Sequence, residues 1–122
     1  MNNQKLFGIW MDNHWAAVLG TISGEEKKFT ILAHIKGEIS SPNSSEKNSN
    51  NHEKTVQLKF FKEIASHITN ATNIHITGTG QAQEQFMHYL ADTAQFKSCK
   101  TTESTSNKMS DEKLVEYMAT QF

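Results

Sequence analysis

The sequence predicts an α/β domain in which a mixed five-stranded sheet carries helices on both faces. Three observations lead to this prediction. Three apolar segments separated by turn residues fill the first third of the chain, strands alternate with helical patterns in the rest, and every apolar segment is too short to cross a membrane. A chain of 122 residues is expected to form a single domain, since a domain of this size buries roughly two-thirds of its unfolded surface.

The first three predicted strands form an antiparallel meander. Residues 5–12 and 14–22 are apolar on both faces, a pattern typical of strands buried inside a sheet. Residues 27–36 alternate apolar and polar side chains, as a half-buried strand does. Asp12 and the segment 23–26 supply the turns between them, and turns this short join antiparallel neighbours.

The rest of the chain alternates helices with strands. Helical spacing covers residues 54–70 and begins again at Gln81, and a final helix follows an N-cap at Ser110. Short strands are predicted at 73–77 and, more weakly, at 95–101. Strand–helix–strand units place their strands parallel with right-handed crossovers. The order β-β-β-α-β-α-β-α is therefore that of a three-layer, ribonuclease-H-like fold.

A polar segment at residues 39–54, ISSPNSSEKNSNNHEK, interrupts these patterns. It contains the single proline and almost nothing apolar after Ile39, so it cannot bury enough surface to offset the entropy of ordering. We predict a mobile loop, and loops of this length are often functional. Lys47, His52 and Lys54 in this segment are candidate partner-binding residues.

Trp15 is the fourth candidate for contact with a partner. It alternates away from His14 and Ala16 on the second predicted strand, and an exposed aromatic side chain on a sheet face can anchor an interface. Core filling is the alternative that applies to most of the other large apolar residues of the chain.

The charged residues and the single cysteine exclude several classes of function. All 12 basic residues are lysines, so the bidentate guanidinium fork that reads guanine is absent, and we expect no sequence-specific DNA binding. Lysines still allow phosphate contacts with RNA. Cys99 alone can form neither an intrachain disulfide nor a cysteine metal cluster. We expect a cytoplasmic protein without a membrane partner.

The glycine-rich stretch Gly78-Thr79-Gly80 between a strand and a helix could bind phosphate through its backbone N–H groups. The Walker motif would need Gly-Lys-Ser/Thr, but Gln81 and Ala82 follow Gly80. The dinucleotide-binding motif would need a third glycine where Gln83 stands. We therefore predict a tight turn rather than a phosphate site.

Ribonuclease-H chemistry requires several carboxylates that hold two metal ions. Asp12 ends the first predicted strand, but the strand at 73–77 contains no acidic residue, and we interpret Asp12 as a turn residue. None of the six histidines has metal-binding spacing, and His34 and His75 on predicted strands are expected to be hydrogen-bonded or on the surface. The sequence predicts no catalytic residue, no metal and no cofactor.

Three segments together resemble the central domain of the archaeo-eukaryotic class 1 release factors and of Pelota, particularly their small bacterial relatives. Residues 7–24 resemble that domain's opening hairpin, in which a strand ending in Asp turns into a strand reading Leu/Phe-Gly-Thr-x-Ser-Gly. Residues 73–90 resemble its strand, glycine-rich turn and helix. Residues 106–122 resemble the C-terminal segment of the bacterial relatives, with Asn107 where Asp is usual. Residues 37–53 show no likeness.

The resemblance implies the fold called translational machinery component and a connection to the ribosome. Release factors carry Gly-Gly-Gln between the third strand and the first long helix, but the loop 39–54 contains neither glycine nor glutamine. Gly80-Gln81 follows the fourth strand and cannot replace the motif. We therefore expect a non-catalytic protein that binds ribosomes, ribosomal RNA or translation factors during stalling, stress or hibernation.

Two alternatives stay open at the level of the sequence. One is a metal-dependent hydrolase or nuclease of the ribonuclease-H-like class that uses Asp12 and histidines gathered by folding. The other is a structural module that forms a homodimer through a sheet edge or through the C-terminal helix.

Overall fold

The strands form one mixed sheet with helices on both faces, as the sequence predicts. The computed structural model describes residues 5–12, 14–21, 28–36 and 49–122, and within the first helix it describes side chains from Gln57 onward. The elements in chain order are β1 (Leu6–Met11), β2 (Trp15–Thr21), β3 (Phe29–Lys36), α1 (Ser49–Ser66), β4 (Asn73–Gly78), α2 (Gln81–Asp92), β5 (Lys100–Thr105) and α3 (Asp111–Gln121).

The strands lie in the order β3-β2-β1-β4-β5. The meander β1, β2 and β3 is antiparallel, whereas β4 pairs parallel with both β1 and β5. The predicted element order and the mixed sheet are therefore confirmed. Within the described residues, no helix is both long enough and apolar enough to span a membrane.

Helices α1 and α2 cover one face of the sheet. Their apolar side chains pack on alternate residues of β1, β2 and β4, which removes this surface from water and is the main favourable term in folding. Phe61 of α1 meets Phe86 of α2 edge to face, with ring centroids 5.2 Å apart. The buried residues that α1 contributes are Phe60, Phe61, Ile64 and Ala65, and Ile68 from the turn after the helix joins them.

Helix α3 covers the other face with fewer residues. Leu114 and Met118 are buried against Trp10 of β1 and against the neighbouring apolar residues of β2 and β3. Gly8 makes this contact possible, because a Cβ atom at this position would lie 2.4 Å from Sδ of Met118. Phe122 follows the helix and stacks on Phe29, with ring centroids 5.3 Å apart.

The prediction of the last strand at 95–101 is wrong. Residues Ala94–Phe96 form one 3-10 turn, and β5 runs from Lys100 to Thr105. The buried Phe96 belongs to the core beside α2 and attracts a strand prediction, whereas the sequence of β5, KTTEST, has no apolar residue to alternate. Because β5 is an edge strand made of polar residues, its sequence lacks the alternation of apolar and polar side chains by which a strand is recognised.

Helix α1 begins earlier and ends earlier than the predicted range 54–70. It starts at Ser49, so the last residues of the predicted loop 39–54 are helical, while residues 39–48 lie outside the described part. After Ser66 the chain tightens, and the N–H of Ile68 donates to the carbonyl of Ala65 over 3.1 Å. Periodicity locates the buried face of a helix but not its ends, since polar residues can extend the helix without changing the pattern.

Gly78, the last residue of β4, and Gly80 both serve the predicted tight turn, each for a different reason. Gly78 lies opposite Met11 in the sheet, and a Cβ atom here would lie 1.9 Å from the Met11 carbonyl oxygen. Gly80 has φ of +128°, a conformation that residues with a side chain rarely adopt, and α2 starts at the next residue.

We expect Gly78→Ala to lower the free energy of unfolding by about 3 kcal/mol or more, because the new methyl group must push two paired strands apart. In Gly80→Ala the new methyl group would lie in open space, so only the strain of the positive φ remains, and the free energy of unfolding should fall by about 1–3 kcal/mol. The exposed Thr79→Ala in the same turn is the control and should change stability by less than about 0.5 kcal/mol. Urea unfolding measures all three, and equal losses for Thr79→Ala and Gly78→Ala would contradict the close-approach explanation.

Candidate partner-binding surface

Asp12 organises the turn that leads from β1 into β2. Its Oδ1 accepts hydrogen bonds from the N–H groups of His14, at 2.8 Å, and Trp15, at 2.7 Å. The Asp12 N–H in turn donates to the Trp15 carbonyl over 2.9 Å. Asp12 is therefore a turn residue, as the sequence indicates, and its carboxylate sets the position at which Trp15 enters the sheet.

The structure places Trp15 as a half-buried ring rather than a freely exposed one. On one side it contacts Trp10, with centroids 5.6 Å apart and planes tilted by 54°. It also stacks with His34 of β3, at 5.5 Å between centroids and 22° between planes. Lys108, from the connection between β5 and α3, places Nζ 4.6 Å from the ring centroid. The indole thus has a fixed apolar inner side and polar, charged neighbours toward solvent.

His34 links this part of the sheet to α3. Its Nε2 lies 3.1 Å from the carboxylate of Asp111, the first residue of α3, and the two side chains are 44% and 51% exposed. An ion pair this exposed contributes about 0–1 kcal/mol, and only while His34 is protonated. The contact therefore orients the imidazole next to Trp15 more than it stabilises the fold.

Two lysines complete the group of residues around Trp15. Lys36 is the last residue of β3 and pairs with Trp15 across the sheet, while Lys108 lies over the ring. Neither lysine meets a carboxylate in the part of the chain that the structure describes. We call Trp15, His34, Lys36 and Lys108 the Trp15 surface.

The other three predicted site residues are not brought to Trp15 by any described contact. Lys47 lies outside the described residues. His52 and Lys54 belong to the first turns of α1, where the backbone but not these side chains is described. These three residues are related to the Trp15 surface through the sequence, because the segment 39–54 that holds them starts three residues after Lys36.

A hydrogen-bonded network lies on the same face of the sheet around His75, which the sequence predicted to be hydrogen-bonded or on the surface, without indicating its hydroxyl partners. His75 of β4 is buried, with Nδ1 2.7 Å from Oγ1 of Thr102 and Nε2 2.8 Å from Oγ of Ser104. The Ser104 hydroxyl is also 2.6 Å from the hydroxyl of Tyr117 and 3.0 Å from Oγ1 of Thr77. Two strands and α3 therefore meet at one serine.

The network favours a structural role for His75. Burial lowers the pKa of His75 from its usual value of 6.5, so the neutral imidazole has one donor and one acceptor for its two hydroxyl partners. Ser104 and His75 have the spacing of a nucleophile and a base, but the other ring nitrogen faces the hydroxyl of Thr102 instead of a carboxylate that would stabilise an imidazolium. Tyr117 further engages the Ser104 hydroxyl and so joins α3 to the sheet.

Metal-binding groups are spread apart in the described part of the chain. Within it, no three His, Cys, Asp or Glu side chains lie together in a group that could hold a metal ion. Cys99, which is half-buried beside the core, has a thiol whose pKa is raised by burial.

Comparison with known proteins reveals a shared fold and no family. No family model and no curated protein matches the chain. The archaeal translation termination factor aRF1 matches 99% of this chain and 36% of its own, with a TM-score of 0.63 and 14% identity. Pelota of Thermoplasma acidophilum matches 94% of this chain and 32% of its own, with a TM-score of 0.59 and 16% identity.

Pelota of Archaeoglobus fulgidus matches 98% of this chain and 34% of its own, with a TM-score of 0.57 and 12% identity. The chain thus spans about a third of the length of these solved structures. The resemblance expected from the sequence is confirmed at the level of the fold, which these distant likenesses establish.

We expect Tyr117→Phe to lower the free energy of unfolding by about 1 kcal/mol, because it removes one hydrogen bond between α3 and the sheet. Tyr89→Phe is the matched control. Tyr89 packs against Phe61 and Phe86, and its hydroxyl has no hydrogen-bond partner among the described residues, so a change below about 0.5 kcal/mol is expected. Urea unfolding of both variants decides, and equal losses would count against the Ser104–Tyr117 contact.

The lowered pKa of His75 makes stability depend on pH. The folded state binds this proton less tightly than the unfolded state, so the penalty is absent well above pH 6.5 and grows as the pH falls through 6.5 toward the folded pKa. Urea unfolding between about pH 8 and about pH 5 should show wild type losing more stability than His75→Gln. The exposed His67→Gln should retain the wild-type profile, and an unchanged profile in His75→Gln would disprove the assignment.

Proposed function

We propose that this chain is a non-catalytic binding domain of the release-factor central-domain type, which associates in the cytoplasm with ribosomes or translation factors. The observation that carries the proposal is the likeness of the fold over 99% of the chain to a protein named as a translation termination factor. Two Pelota structures add support, since each matches more than nine-tenths of the chain.

The absence of Gly-Gly-Gln supports a binding role rather than peptidyl-tRNA hydrolysis. The resemblance places that motif between β3 and α1, where this sequence reads ISSPNSSEKNSNNHEK from residue 39 to residue 54. None of the 6 glycines of the chain is adjacent to another, so the motif has not moved elsewhere. A domain that keeps the fold and lacks the motif is suited to occupy or recognise a site during stalling, stress or hibernation.

The Trp15 surface supports a contact with a partner near the end of β3, from which the chain continues into the segment 39–54. Lys36 pairs with Trp15 and is the last residue of β3, and the segment that the resemblance relates to the catalytic loop of release factors starts three residues later in the sequence. Lys47, His52 and Lys54 follow along the chain and would add positive charge to the contact. The alternatives of a metal-dependent nuclease and of a homodimer receive no specific support from the described residues.

We expect the tagged protein to sediment with ribosomal particles in a sucrose gradient from growing or starved cells and to dissociate as salt is raised, because phosphate contacts of lysine weaken with salt. Replacing residues 39–48 by a Gly/Ser linker of the same length should move it to the top of the gradient. Lys59→Gln with Lys62→Gln on the exposed side of α1 is the control and should co-sediment. Wild-type protein that stays at the top under all conditions would refute the proposal.

A further inference from the structure

Lys36 and Lys108 of the Trp15 surface have no carboxylate partner within the residues that the structure describes. Asp12 and Asp111 are engaged elsewhere, since Asp12 accepts two backbone N–H groups and Asp111 lies against His34. The surface therefore combines a half-buried indole with two lysines, one paired with Trp15 across the sheet and one over its ring, neither of which meets a carboxylate in the described part of the chain.

We propose that the Trp15 surface binds single-stranded RNA, with one unstacked base against Trp15 and adjacent phosphates against Lys36 and Lys108. The proposal rests on the proposed function, which makes RNA the relevant nucleic acid. Proteins that bind single strands without reading sequence combine an aromatic platform with a cationic path for the backbone, and these residues supply both.

The contact of Lys108 with Trp15 explains how a base gains access to the ring. The ammonium lies 4.6 Å from the ring centroid, and an exposed cation–π contact is weaker than stacking of a base on tryptophan. A base can take this place while Lys108, which is exposed and lies between β5 and α3, turns to a phosphate. Trp10 and His34 hold the indole in place, so the platform is formed before RNA binds.

The chemistry of the surface favours RNA over an acidic peptide. Carboxylates of a peptide could pair with the two lysines but would leave the indole without a planar partner. The chain has no arginine, so base edges cannot be read by bidentate guanidinium contacts, and binding should tolerate different sequences. Phosphate contacts by only two lysines predict weak binding that is sensitive to salt.

The test measures binding of fluorescein-labelled oligouridylate and oligoadenylate of about ten nucleotides to the full chain by anisotropy. Wild type should bind both, and Trp15→Leu should weaken binding by about fivefold or more, the loss expected for one stacked base. Trp15→Phe keeps an aromatic ring and should recover much of the affinity, which separates stacking from a general loss of structure. Thermal unfolding of both variants confirms that they are folded.

Lys36→Gln and Lys108→Gln should each weaken binding and each reduce the slope of log affinity against log salt by about 0.7, as expected for one phosphate contact on a single strand. Lys62→Gln is the matched control, because Lys62 is exposed on α1, on the opposite face of the sheet. It should leave both the affinity and the slope unchanged.

Three outcomes would overturn the assignment: no binding of either oligonucleotide, equal loss in the Lys62 control, or equally strong competition by polyglutamate. If oligonucleotide binding is absent while the protein still sediments with ribosomes, the Trp15 surface is not an RNA site and the proposed function stands. If oligonucleotides bind as expected but sedimentation fails, the surface assignment holds and the association with ribosomes is wrong.

Discussion

The burial of β1 on both faces is the constraint on which the rest of this structure depends. Ile9 and Met11 point to the side covered by α1 and α2, while Trp10 points to the side covered by α3. A central strand that is apolar on both sides needs helices on both sides, since leaving either face in water would forfeit its hydrophobic stabilisation. The short helix α3 must therefore dock, and Gly8 leaves the space for Met118 to do so.

Docking of α3 also determines the surroundings of Trp15. The connection from β5 to α3 carries Lys108 across the indole, and the first residue of α3 meets His34. The hydroxyl network around Ser104 also holds α3 against the sheet, because the hydroxyl of Tyr117 on α3 is within hydrogen-bond distance of the Ser104 hydroxyl. A change that loosens α3 would thus disturb the proposed binding surface without touching Trp15 itself.

The polar groups of this face divide into two kinds. His75 hydrogen-bonds with Thr102 and Ser104 between the neighbouring strands β4 and β5, which favours a role in holding the sheet and α3 together. Lys36 and Lys108 have no carboxylate partner in the described part of the chain; Lys36 pairs with Trp15 across the sheet, and Lys108 lies over its ring. Recognition is therefore more naturally assigned to the Trp15 surface than to the buried histidine.

The local sequence pattern was sufficient to predict those strands and helices in which buried apolar residues recur at regular spacing. The two-sided apolar character of residues 5–12, the spacing of the helices and the cap at Ser110 predicted the order of the fold and its mixed sheet. The same reasoning identified Asp12 and the glycines at the end of β4 and before α2 as turn residues. These features depend on neighbours in the chain, and short-range sterics and alternation determine them.

Tertiary structure decided what depends on contacts between distant residues. It placed the fifth strand at Lys100–Thr105, where a polar edge strand lies beside His75, and it turned Trp15 from a presumed exposed anchor into a half-buried ring. The amino-acid sequence by itself determined the layers of this protein and the absence of Gly-Gly-Gln. Only the folded chain decided which lysines flank the indole and which hydroxyls surround the histidine, because residues far apart in sequence meet there through the sheet and α3.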